Sequence, residues 1–85
     1  MHHTTKGFWK WYNQLPKEVK ELADKNFDLL KKNKNHPSLQ FKKIEELYSV
    51  RVGLHYRALG IEKNSKIFWF WIGHHDEYMR IIRGF

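Results

Sequence analysis

Two arginines and one short run of polar residues hold the side chains of this chain best suited to chemistry. Arg51 and Arg57 flank the residues Leu54–His55. If those two residues make the turn between successive strands, the arginines flank it symmetrically and share a face. Two guanidinium groups so placed would clamp a phosphate, because the planar fork matches its oxygens. The plainer alternative is a pair of surface charges bonded to nearby acids. The polar run follows Gly73 directly: His74, His75, Asp76, Glu77 and Tyr78. RNA cleavage by internal attack needs a base for the 2′-hydroxyl, an acid for the leaving oxygen and charge stabilisation at phosphorus. His and Tyr could do the first two jobs and Arg the third. By itself the run also reads as a polar loop after a buried strand.

Metal chemistry is not expected. The chain has no cysteine, so neither a thiolate zinc site nor a disulfide can form. Adjacent residues of a strand point to opposite faces, so His74 and His75 share one metal only if the strand has already ended. His2 and His3 stand at the chain start, a poor place for function, whether or not they are native. No cofactor is expected either.

The elements that must position these groups are legible from periodicity. The chain of 85 residues fits one domain with a modest core. Phe8, Trp9, Tyr12 and Leu15 are at helical spacing within Lys6–Leu15. Val19, Leu22, Ala23, Phe27 and Leu30 form a second stripe within Pro16–Lys32. Pro16 suits a helix start, and "NKNHP" ends the helix. The acid–lysine pairs Glu21–Lys25 and Asp28–Lys32 would add small support. From Tyr48 the period changes to two, with Tyr48, Val50, Val52 and Leu54 against Ser49, Arg51, Gly53 and His55. Strands over Tyr56–Glu62 and Ile67–Ile72 follow, joined by the polar turn "EKNSK", and Gln40–Ile44 could add another. The predicted fold is α+β, with an N-terminal helical hairpin packed on a small antiparallel β-sheet. "IFWFWI" is too short to span a membrane and apolar on both faces, as a covered central strand is.

The formal charge is +7, concentrated in residues 1–43, where ten lysines face four acids. Such a surface is either an ordinary lysine coat or an attractor of nucleic acid. The absence of cysteine and of an apolar leader fits a cytoplasmic protein.

The order and wording of these segments are more specific than any one of them. A helical hairpin leads to "NHPSLQFKKI", then "YSVRVGLHYRALG", then "FWFWIGHHDEY". This resembles the RelE/ParE superfamily of toxins from type II toxin–antitoxin systems. The resemblance implies one RelE/ParE-like toxin domain over residues 1–85 and a cognate antitoxin as partner. In the RelE branch it implies an mRNA interferase, an endoribonuclease that inhibits translation by cutting mRNA on the ribosome through metal-independent 2′-hydroxyl attack. In the ParE branch the target is DNA gyrase. A third reading is a basic RNA- or protein-binding module without toxicity. Carried over by position, Arg57 in "YR" matches the arginine on the scissile phosphate, and Arg51 matches a basic residue facing RNA. Tyr78 matches a C-terminal tyrosine that helps activate the 2′-hydroxyl or stacks on a base. His74 matches the basic residue after the glycine, and His75 stands where relatives often place an arginine. Lys42 and Lys43 would hold the RNA backbone.

Overall fold

The structure is a computed structural model that describes residues 2–84. Strand β1 (His2–Thr4) is followed by helices α1 (Lys6–Tyr12) and α2 (Lys17–Lys32). A single 3₁₀ turn (Pro37–Leu39) leads into β2 (Lys42–Ile44), β3 (Leu47–Val52), β4 (Tyr56–Lys63) and β5 (Lys66–His74). Helix α3 (His75–Arg83) ends the described chain.

The sheet order is β1-β5-β4-β3-β2. From β2 to β5 it is the expected antiparallel meander. The sheet as a whole is mixed, because β1 adds to the outer edge of β5 in parallel. Three residues carry too little pattern to announce a strand, and β1 exists only through its pairing with β5.

Local chemistry accounts for the joints. The Thr5 hydroxyl caps α1 by accepting from the Phe8 amide at 3.2 Å. Pro16 caps α2, with its fixed φ of −58° leading into the first turn. On α2, Asp28 pairs with Lys31 at 3.5 Å, three residues on instead of the expected four; both spacings lie on one helix face. Asn64 and Ser65 take positive φ values of 54° and 65°, and the two-residue turn joins Lys63 to its partner Lys66.

The sheet is buried on both faces. On one, Phe8, Leu15, Val19, Ala23 and Leu30 from the helical hairpin pack on Val50, Val52, Ala58, Trp69 and Ile72. On the other, α3 lays Tyr78 onto Leu47, Leu59 and Trp71. This second layer explains why Ser49, expected on a polar face, is fully buried.

The rail of aromatics in β5 does not alternate simply. Leu59 pairs with Trp71 while Gly60 pairs with Trp69, so Phe70 is an extra residue at a bulge. One inserted residue reverses the facing of all that follow. Trp69 therefore enters the hairpin core and Trp71 the α3 core, where strict alternation would put them together.

Candidate functional site

Strand register brings Arg51 and Arg57 directly opposite each other, on one face, around a three-residue turn Gly53–His55. Gly53 has φ 64°, which a glycine adopts without strain. The two heads are engaged separately and do not form one clamp. Arg51 Nε donates to the Gly53 carbonyl at 2.9 Å, folding the side chain back onto its own turn. Arg57 lies with its guanidinium carbon 5.2 Å from the centre of the Tyr78 ring. Its Nη2 donates to Gln40 Oε1 at 3.2 Å. Its Nη1 is buried and has no partner among the described residues. An unpaired buried N–H is costly, about 1–3 kcal/mol.

Tyr78 is only 2% exposed. Its hydroxyl, like that of Ser49, is buried without a partner among the described residues. The tyrosine thus supports Arg57 from beneath, inside the α3 layer.

The two histidines do separate things because the strand ends between them. His74 is the last residue of β5 and the cap of α3, accepting from the Asp76 amide through Nδ1 at 3.1 Å. Its ring stacks near His55, centroids 6.2 Å apart, and meets Tyr56 edge-on at 5.4 Å. His75 opens α3, donates its amide to the His55 carbonyl at 2.7 Å and places its ring 5.8 Å from Tyr78. With Nδ1 used as an acceptor, neutral His74 carries its proton on Nε2 and offers a donor outward. Among the described residues the His75 ring has no such tie.

Gly73 makes the corner possible. A Cβ there would sit 2.5 Å from Cζ2 of Trp71, so the indole lies across the glycine, directly beside its cross-strand partner Arg57. Glu77 is bonded to Arg80 one turn later. Lys42 and Lys43 are both exposed, but register puts them on opposite faces. Lys42 pairs with Ser49 on the Arg57 face, whereas Lys43 pairs with Tyr48, over whose ring its Nζ lies at 5.8 Å. Among the described residues no three His or carboxylate side chains gather as a metal site would require.

Sequence reasoning missed Gln40 and the whole of α3. A lone glutamine in a loop gives no signal. Helix α3 does give one: Asp76 and Glu77 in its first turn, Arg80 and Arg83 in its last, and Tyr78, Ile81 and Ile82 at helical spacing.

A sequence model of the ParE-like toxin domain matches residues 17–80. The chain belongs to that family. It is thereby a RelE/ParE superfamily toxin domain, and solved structures share its fold. RelE in the RelB–RelE antitoxin–toxin complex from Methanococcus jannaschii superposes with a TM-score of 0.68 at 19% identity, covering 93% of this chain and 96% of that one. YafQ from E. coli gives 0.72 at 10% identity, covering 92% and 96%. The archaeal RelE–RelB complex from Pyrococcus horikoshii gives 0.68 at 21%, covering 86% and 91%. No curated protein matches this chain in sequence. The matched span takes in Arg51, Arg57, His74, His75 and Tyr78.

Proposed function

We propose that this ParE-like toxin domain, acting as one unit over residues 1–85, is an mRNA endoribonuclease. The observation that carries the reading is Arg57. Its guanidinium lies over a buried tyrosine ring, is bonded on one side by Gln40, and has a buried donor unpaired among the described residues. The same sheet end carries His74 and His75. The exposed Nη2 side of the head can meet an acceptor oxygen that arrives with substrate, and the buried Nη1 joins it only when the packing around it opens.

The steps follow from the residues. Arg57 stabilises the charge of the pentacoordinate phosphorus, with Arg51 adding positive potential from the neighbouring strand. His75 takes the 2′-hydroxyl proton and returns it to the leaving 5′-oxygen. His74 cannot accept a proton without losing its cap, so it donates a hydrogen bond from Nε2 to a phosphate oxygen. Tyr78 supports Arg57, and its hydroxyl reaches substrate only with a shift of α3. Lys42, on the same face, holds the RNA backbone, and Lys43 adds to it from the sheet edge. The nucleophile belongs to the RNA, so the reaction asks for no metal and no cofactor.

RelE relatives are seen with the antitoxin RelB. We infer a cognate antitoxin for this chain, mRNA, free or on the ribosome, as the substrate, and the cytoplasm as the place of action. No helix among the described residues is long and apolar enough to cross a membrane. Induced expression with growth and primer-extension readouts tests the reading. Growth arrest with new mRNA 5′ ends is expected, and both disappear in Arg57→Ala. Arrest without cleavage, unaffected by Arg57→Ala, contradicts it.

A second reading, inhibition of DNA gyrase, is favoured by Trp9 and Trp11, which are 46% and 41% exposed and suit anchors on a protein partner. A supercoiling assay separates the two. A module that binds without toxicity would give no arrest at all.

A further inference from the structure

Gln40 occupies a conformation that its side chain alone does not prefer. It has φ 45° and ψ 47°, in the left-handed region, at the end of the 3₁₀ turn. Leaving that region to glycine avoids a cost of roughly 1–2 kcal/mol. Its neighbours hold it there. Leu39 is fully buried, and Phe41 stacks on Tyr48 with ring centres 5.4 Å apart. Between these two anchors the chain must turn sharply, and the turn sends the Gln40 amide back to Arg57.

The amide's orientation is settled by chemistry. Arginine has donors only, so the oxygen of Gln40 faces Nη2, as the 3.2 Å contact has it. The Tyr78 ring flanks the guanidinium, its centre 5.2 Å from Cζ. Gln40 gives the head its one side-chain hydrogen bond among the described residues. Without the second contact the head could turn over the ring, because a cation above a ring face is held in height but hardly in azimuth.

Resting on the nuclease reading, we infer that Gln40 is a positioning residue. It holds the Arg57 guanidinium at the rotation that meets the phosphorus in the transition state. Strain of this kind at a non-glycine residue belongs where the side chain is needed. Gln40 acts through Arg57 and need not touch the RNA.

Gln40→Asn is the informative change, since asparagine tolerates the left-handed region but is one methylene too short to reach Nη2. Gln40→Gly removes strain and side chain together. Both should fold with unchanged or higher Tm. In cleavage of a short RNA by the purified protein, Gln40→Asn should lower kcat about 10- to 100-fold, with KM changed by less than about threefold. Adding Gln40→Asn to Arg57→Ala should cost nothing more, because both remove one element. The Arg57 Nη–H signals in NMR should sharpen only when Gln40 is present. If Arg57→Ala abolishes cleavage while Gln40→Asn keeps kcat within about twofold of the parent, the inference is overturned and the nuclease reading stands. A further loss in the double variant as large as in the single also overturns it. If Arg57→Ala cleaves like the parent, the nuclease reading falls and takes the inference with it.

Discussion

Replacing Tyr78 by phenylalanine separates what the tyrosine does for the fold from what it does for chemistry. The ring is 2% exposed and the hydroxyl is buried with no partner among the described residues. An ordinary buried tyrosine loses about 1 kcal/mol in this change because a made hydrogen bond is removed. Here no such bond exists, and an unsatisfied buried polar group costs about 1–3 kcal/mol. Tyr78→Phe should therefore be neutral or stabilising by about 1 kcal/mol, allowing for partial relaxation around the hydroxyl. In a domain of this size that raises Tm by about 4–8 °C per kcal/mol. The ring under Arg57 is kept, so the guanidinium stays in place. Tyr78→Leu removes the ring and should cost about 1–2 kcal/mol from the lost cation contact, with a packing loss added. Thermal and urea denaturation of the three proteins measure this. A Tyr78→Phe protein less stable than the parent by 1 kcal/mol or more (~1 kcal/mol is the worth of one bond) would mean that the hydroxyl has a partner, and the reasoning from the orphaned group would fail. If stability holds and cleavage drops, the hydroxyl takes part in the reaction after α3 shifts.

Two further outcomes follow from packing and titration. Gly73→Ala forces a Cβ to within 2.5 Å of the Trp71 indole, so it should destabilise by about 1–3 kcal/mol and disturb Arg57 alongside; denaturation together with RNA binding checks both. The Trp69 indole N–H donates to His2 Nδ1 at 3.1 Å, and burial, then nearby positive charge including Lys34, holds the His2 pKa below its usual value. The unfolded chain protonates His2 near the ordinary value of about 6.5, the folded chain only at lower pH, so stability is full above that range and declines as pH falls through it. Thermal melts from about pH 8 to pH 5 should show the decline, and His2→Phe should flatten it.

The sequence showed the helical hairpin and the meander because both are written in period. Val19, Ala23 and Leu30 recur at helical spacing, and β3 alternates as far as Val52. What it hid was set by distance along the chain. The strand identity of β1 depends on Ile67–Trp69, more than sixty residues away. The bulge at Phe70 depends on how β4 meets β5, and no local pattern in "FWFWI" reports it. Helix α3 is written in its acidic first turn, basic last turn and apolar stripe, but these overlap the polar run His74–Tyr78 that also reads as a catalytic set. At the site, the pairing of Arg51 with Arg57 was legible from the turn between them. Their separate engagement was not, because Arg51 turns onto Gly53 of that same turn while Arg57 meets Gln40 and Tyr78, which arrive from two other segments. Lys42 and Lys43 are both expected on the RNA backbone, yet strand alternation divides them between the two faces.

The most direct test of the central reading is the chemistry of the ends. Purified protein is incubated with a 5′-labelled RNA, with and without a chelator, beside Arg57→Ala and beside an RNA methylated at every 2′-oxygen. Attack by the 2′-hydroxyl predicts fragments ending in 2′,3′-cyclic phosphate, formed equally with chelator, absent on methylated RNA, and lowered at least about 100-fold by Arg57→Ala. Fragments with 3′-hydroxyl ends, dependence on a metal, or cleavage untouched by Arg57→Ala would contradict it.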